Sequence, residues 1–271
     1  MLTGQALIAG VNETSVGPGQ LAFWWLGQQS WILKIGRTVL YLDPFLTPLD
    51  GRTTPPMLVP SEITNATVIS GTHDHGDHID RPVWPALAKA SPAARFIVPG
   101  LLLAGLVRDL GIPADRFVGI DDGSSAEVAG VRITGVAAAH ELLDRDEKTG
   151  RYPHMTYIFE AGGLSVFHAG DTCRYEGLET KLRKWPRFDL ALLPINGRDA
   201  VRLRSGCIGN MTYQEAADLA GALRPRLTVP AHWDMFQMNS EDPQKFVDYM
   251  AVKYPDLRTH IPRHGERMVL P

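Results

Sequence analysis

Cysteine is scarce in this chain: Cys173 and Cys207 are the two that its 271 residues contain. Two cysteines build no disulfide framework, and neither belongs to a Cys-x-x-Cys unit, which argues against cysteine-based zinc binding. Long apolar runs are missing too, and none nears the roughly 18 residues a membrane helix needs. An excess of one charge is likewise absent. The 27 Lys and Arg against 30 Asp and Glu leave a net charge of -3, so neither nucleic acid nor a membrane surface is expected as a partner. Met1 to Gly19 lacks a basic leader and an apolar stretch, so no signal peptide is expected and a cytoplasmic location is the expectation. A Gly-x-Ser-x-Gly elbow is not found either, which removes the usual serine hydrolase signature.

What remains is a chain able to bury a large core. Its hydrophobic content of 44% suits one α/β domain at this length. No repeat or low-complexity linker divides it, so residues 1–271 read as a single domain. Residues 1–19 are an extension with no evident core role that could pack on a neighbouring subunit. Short β-rich runs at 21–26, 30–35 and 38–42 come first. Five prolines between Pro44 and Pro60 predict an exposed loop near the site. A strand at 67–70 precedes alternating helices (82–90, 101–110) and strands (96–98, 116–120, 125–128, 131–138). After a polar loop from His140 to Pro153 the pattern repeats. A hairpin spans 155–160 and 164–168, strands fall at 190–193 and 227–230, and helices at 213–223 and 243–252. Thr212 and Glu215 form a capping box for the first of those two helices. Two such β-then-α halves predict two sheets face to face, with helices outside.

The densest chemistry lies at His73-Asp74-His75-Gly76-Asp77-His78, directly after Ala66-Thr67-Val68-Ile69-Ser70. Alternation puts His73 and His75 on one side of the extended segment, so both can reach one cation. Beyond the Gly76 turn, Asp77 and His78 can face a second. Imidazole and carboxylate are what borderline and hard divalent ions take. His140, Asp171 and His232 each follow a strand, at the carboxyl ends where α/β folds place ligands.

Four further histidines and several other side chains remain around this set. His168 reads as a core or supporting histidine, and His260 and His264 as solvated. His154, at the far end of the polar loop, could protonate a leaving group. Arg198, Arg202 and Arg204 could grip a phosphate with paired donors, while Asn196 and Asn210 could orient a substrate oxygen. Trp24 and Trp25 point to opposite strand faces, one to the core and the other toward a pocket or interface. Cys173 reads as a small buried residue.

The order HxHxDH, histidine, aspartate, histidine resembles the metallo-β-lactamase superfamily across most of the chain. That resemblance implies an αββα sandwich of two facing mixed sheets, with one divalent ion on His73, His75 and His140. It puts a second on Asp77, His78 and His232, with Asp171 bridging. Within the superfamily, Phe23-Trp24-Trp25-Leu26-Gly27, Thr72 to Asp80, His168-Ala169-Gly170-Asp171, Leu193-Pro194-Ile195-Asn196-Gly197 and Val229-Pro230-Ala231-His232 look like the L-ascorbate 6-phosphate lactonase group. This chain is shorter than that group and carries His140, which the group does not require. The likeness implies manganese, homo-oligomers and a lactone bearing a phosphate; the imidazole-rich ligand set itself suits zinc equally.

On this reading two ions share a water and lower its pKa toward neutrality, and the hydroxide attacks a carbonyl carbon or a phosphorus. Asp77 and Asp171 hold the ions and that water, and His154 serves the leaving group. The expectation is a hydrolase of a small, phosphorylated metabolite. A phosphodiesterase of the same superfamily and a non-catalytic metal-binding scaffold are the alternatives; the filled ligand positions speak against the scaffold.

Overall fold

The computed structural model describes residues 2–271. Its first half begins with helix α1 (Gly4–Glu13) and three antiparallel strands, β1 (Leu21–Trp25), β2 (Trp31–Ile35) and β3 (Thr38–Leu42). Parallel strands β4 (Val68–Ser70), β5 (Arg95–Pro99) and β6 (Phe117–Ile120) extend the sheet, with α2 (Trp84–Ala90) and α3 (Leu103–Leu110) as crossovers. The second half repeats the plan. Antiparallel β7 (Ser125–Val128), β8 (Val131–Ala137), β9 (Met155–Ala161) and β10 (Leu164–His168) lead through α4 (Leu178–Leu182) to parallel β11 (Leu190–Pro194). Then come α5 (Ala200–Arg204), α6 (Tyr213–Leu223), parallel β12 (Leu227–Ala231) and α7 (Pro243–Lys253). The closing strand β13 (Met268–Leu270) returns to pair with β1, giving sheets β13-β1-β2-β3-β4-β5-β6 and β12-β11-β10-β9-β8-β7.

Period-two alternation sorts side chains into three apolar layers. Phe23, Trp25, Trp31, Leu33 and Leu40 meet Ile133, Tyr157, Phe159, Val166 and Leu192 between the sheets. Ala22, Trp24, Ile32, Tyr41 and Phe96 face outward under α1, α2 and α3. Ile158, Phe167, Ala191 and Leu193 face α4, α6 and α7. Strands buried on both faces read as continuous apolar runs, as parallel strands in α/β proteins do. Among the described residues no helix is long and apolar enough to cross a membrane.

Four expectations change here. The N-terminal extension is part of the chain's own core. Leu7, Ile8 and Val11 of α1 are buried in the outer layer, and the buried Lys34 Nζ donates to Val11 O and Asn12 O at 2.7 and 2.8 Å, closing the helix C-terminus. Trp24 and Trp25 are both buried, in different layers, so neither opens on a pocket. His264 stacks on Trp25 with centroids 4.5 Å apart and sets Nε2 2.6 Å from Asp234 Oδ2, so it is not solvated. The proline-rich loop is only partly exposed, since Phe45, Leu46, Met57 and Leu58 are buried.

Leu7→Ala should therefore cost about 2–5 kcal/mol, the range for truncating a buried leucine, read as a lower denaturant midpoint at unchanged m-value. A loss below about 0.5 kcal/mol, the size of an ordinary surface substitution, would mean that α1 does not belong to the core.

Candidate metal centre

Four strand ends open on one edge of the sandwich and deliver the ligands. After β4 the chain runs extended through Thr72 and His73, then makes one tight turn in which His78 N and Ile79 N donate to His75 O at 3.0 and 2.8 Å. That turn folds Asp77 and His78 back beside His73. Asp74 points away and is held by Arg81 in a two-point contact at 2.8 and 2.6 Å. His140 follows β8, Asp171 follows β10, and His232 follows β12 directly.

Delivery costs backbone strain. Among the described residues, Gln28, Asp43, Glu141 and His232 are four of the six non-glycine residues with positive φ, a conformation that persists where the surroundings enforce it. Gly170 sits at φ 58 with Thr72 so close that a Cβ there would lie 2.7 Å from its methyl. Only glycine fits that approach.

Seven side chains converge. The potential ligand sets are His73, His75 and His140; His73, His78 and Asp171; and Asp77, His78 and His232. His73 Nε2 and His140 Nε2 lie 2.9 and 3.3 Å from His75 Nδ1. Asp171 joins the groups: Oδ2 is 3.1 Å from His232 Nε2 and 3.7 Å from His140 Nε2, and Oδ1 is 3.4 Å from His78 Nε2. Asp77 Oδ2 stands 3.6 Å from His78 Nε2 and 3.5 Å from His232 Nε2. Nitrogens about 2 Å from a tetrahedral ion stand about 3.3 Å from one another, so these separations suit metal ligation. His78 Nε2 and Asp171 Oδ1 are buried with no hydrogen-bond partner, a cost that a cation between them would remove. The residues present fit divalent metal.

The electrostatics agree in sense. Burial disfavours the ionised carboxylate of Asp171, yet His232 and His78 beside it hold it well below the usual carboxylate range. Asp77 is depressed likewise, burial being outweighed by His78 and His232. Burial lowers His232, but Asp171 and Asp77 push it up to about 9, and His78 is raised by the same carboxylates. His73 and His140 are lowered, chiefly by burial. Without a cation, then, the half around Asp77, His78 and His232 keeps protons on its imidazoles.

Two supporting residues escaped the sequence reading. Asp43, fully buried at the end of β3, accepts from Thr72 N and Oγ1 at 3.1 and 2.6 Å and contacts His78 Nδ1 at 2.5 Å. It thereby fixes the tautomer that leaves His78 Nε2 facing the site. His168, buried as expected, has Nε2 3.3 Å from Asp43 Oδ2. Gln28 Nε2 donates to Asp77 Oδ2 at 3.0 Å, and Gln28 O accepts from His232 N at 3.0 Å. The strand-end rule applied to β3 finds Asp43; no pattern marks Gln28.

The expected substrate residues are placed differently. Arg198 is bound to Glu215 and Asn210 O. Arg202 is spent on Asp199, Asn196 O and Asn239 Oδ1. Arg204 is exposed on α5 and, like the other two, does not line the cavity over the centre. Asn196 and Asn210 are buried, bonded to each other at 3.1 Å and absent from the cavity lining, so they brace a loop. His154 lies beside the ligands, its ring 5.2 Å from that of His73, but it is outside the cavity lining and is pushed down to about 4 by burial and by His140 and His75.

Residues 38–233 match the family model described as a Beta-lactamase superfamily domain. The chain is 30% identical over 255 residues to a UPF0173 metal-dependent hydrolase of Nitratidesulfovibrio vulgaris, covering 91% of this chain and 94% of that one. A UPF0173 metal-dependent hydrolase of Thermococcus onnurineus is 32% identical over 212 residues, covering 78% of this chain and 84% of the other. Among solved structures, a metallo hydrolase from Ignicoccus hospitalis has the same fold, with a TM-score of 0.73 at 20% identity, covering 93% of this chain and 99% of that one.

Two measurements probe the centre. Asp43→Asn should weaken metal affinity about 10- to 100-fold in a folded protein, as read by chelator competition; unchanged affinity would remove Asp43 from the support of His78. Metal uptake near pH 7 should release protons, because His232 holds one up to about pH 9 and metal takes the neutral ring. Calorimetry in buffers of different ionisation heat should see that release shrink as pH rises through 9. The same proton makes a stability statement for the metal-free protein. The unfolded imidazole titrates near 6.5, so the His232–Asp171 pairing contributes fully below that pH and is lost as pH rises through 9. Uptake without proton release would contradict the assignment.

Proposed function

The chain belongs to the metallo-β-lactamase superfamily of metal-dependent hydrolases, and on that premise we propose that it opens a carboxylic ester bond, in the first place a lactone, in a small molecule. The observation that carries the proposal is the convergence of seven donor side chains, Asp171 among them, at the floor of an open cavity. We assign one ion to His73, His75 and His140 and one to Asp77, His78 and His232, with Asp171 between them. Zinc suits the five imidazoles, and manganese follows from the likeness to the lactonase group. Divalent ions held there would acidify a water and polarise the carbonyl under attack.

The chain's own residues supply the rest. Asp77 lines the cavity, and its contacts with Gln28, His78 and His232 all run through Oδ2. Its Oδ1 is therefore left to take the proton of the attacking water. As the water oxygen bonds to the carbonyl carbon and the ester C–O bond breaks, that proton passes to the leaving alkoxide. Gln28 keeps the Asp77 carboxylate oriented throughout, and no histidine acid is required. The phosphate expected on the substrate is not carried into this proposal, since no lysine or arginine lines the cavity.

The test is turnover of γ-butyrolactone, L-ascorbate 6-phosphate and bis(p-nitrophenyl) phosphate by protein loaded with zinc or with manganese. Lactone opening that chelation abolishes, and that Asp171→Ala lowers by at least about a thousandfold together with bound metal, is expected of a residue shared by both ions. Turnover of the diester alone would make the protein a phosphodiesterase, and hydrolysis indifferent to chelation would overturn the metal mechanism.

A further inference from the structure

The cavity over the centre has a volume of about 820 Å³ and, besides the ligands His75, Asp77, His140, Asp171 and His232, is walled largely by apolar side chains. These come from three separate loops. Phe45 and Leu49 belong to the loop after β3, Ile208 to the loop after α5, and Phe236 and Met238 to the segment after β12. Leu49, Ile208 and Met238 remain 55%, 39% and 60% exposed. Single exposed apolar residues are ordinary on any surface. Three that converge with two phenylalanines on the rim of one cavity form a contiguous patch, and such patches mark where something apolar binds.

The charges around this wall point the same way. Its carboxylates beyond the ligands are Asp50 and Asp80, and no lysine or arginine lines it. Two arginines behind the lining, Arg52 and Arg202, act as braces. Arg52 donates to Thr54 O and Thr47 O at 3.0 and 2.8 Å while its guanidinium covers the Phe45 ring at 4.4 Å. Arg202 holds Asn239, a lining residue, through Oδ1 at 3.1 Å.

Two of these segments, those after β3 and after β12, are also tied to one another. Arg52 and Phe236 form a β-bridge, Thr53 N donates to Met235 O at 2.8 Å, and the Phe45 and Phe236 rings lie 6.3 Å apart. That side of the wall is thus preformed, which spares a ligand the cost of ordering it. Along this wall, away from the centre, an anion would meet Asp50 and no lysine or arginine, and hydrocarbon would cover exposed apolar surface.

We infer that the substrate carries an uncharged hydrocarbon portion of several carbons, which lies along Phe45, Leu49, Ile208, Phe236 and Met238 while its ester reaches the centre. The inference rests on the ester-hydrolysing reading for the reaction but on the cavity wall alone for the hydrocarbon. Covering one methylene with this wall gains up to about fourfold in affinity for the transition state. A phosphate or carboxylate in the same place would lose binding.

A lactone series separates the two claims. Metal-loaded protein is offered γ-butyrolactone, γ-hexalactone, γ-octalactone and γ-decalactone, and γ-lactones whose side chain ends in carboxylate, with ring opening followed by acid release. The kcat/KM should rise about two- to fourfold per methylene, and the carboxylates should be poorer than their neutral counterparts of equal length. The double variant Ile208→Ser/Met238→Ser, at exposed positions that do not endanger folding, should flatten the gradient at least tenfold between the shortest and longest lactone. Val252→Ser, on the far surface of α7, should leave the gradient unchanged. Measurable turnover with no gradient, or preference for the carboxylates, would overturn the hydrocarbon inference and leave ester hydrolysis standing.

If no lactone is opened, the ester-hydrolysing reading falls, and binding of 1-butanol and 1-octanol by calorimetry judges the wall. At least tenfold tighter binding of octanol, lost in the double variant, supports it; equal binding refutes it.

Discussion

A carboxylate buried among imidazoles organises this molecule. Asp171 is 4% exposed and has His78, His140 and His232 nitrogens 3.1 to 3.7 Å from its two oxygens. A lone charge there would be very costly, and a cluster of imidazoles without a cation would leave donors and acceptors unmatched. The residues arranged about Asp171 answer that constraint. Asp43 orients His78 from behind, Gln28 holds Asp77, and Gly209 O lies 3.2 Å from His140 Nδ1. The left-handed backbone at Gln28, Asp43, Glu141 and His232 is a further cost of bringing those groups to one place.

The sandwich meets this cost because it is built twice. Each half ends parallel strands on the same edge, and the apolar layer between the sheets clamps those edges together. Tyr157, deep in that layer, donates its hydroxyl hydrogen bond to Gly71 O, next to the start of the His73–His78 segment. Trp25 likewise ties the layer to the site, since its indole Nε1 donates to Gln28 O at 3.0 Å while His264 stacks on its face. Core and centre are therefore continuous, and the C-terminal segment takes part in both.

Much of this was legible in sequence because the relevant signals are local. His73 to His78 stand out by composition, and His140, Asp171 and His232 by following apolar strands. The strands themselves announce their ends with glycine and proline. What was hidden depends on direction. A run holding Arg198, Arg202 and Arg204 displays charge, but only the fold reveals that Glu215 takes Arg198 and that Asp199 and Asn239 take Arg202. His154 is near the ligands yet does not line the cavity, a distinction that spacing does not carry. Helix α1 escaped because Gly4 and Gly10 weaken its intrinsic propensity, and packing of Leu7, Ile8 and Val11 on the sheet overrides that. The apolar wall escaped because its residues come from three loops far apart in the chain, each unremarkable alone.

The most direct measurement is an anomalous-scattering map from crystals of the metal-loaded protein, collected on either side of the metal's absorption edge. Two peaks are expected on opposite sides of the Asp171 carboxylate, one within bonding distance of His73, His75 and His140 and the other of Asp77, His78 and His232. A single peak, or density ligated by residues outside this set, would contradict the seven-residue centre.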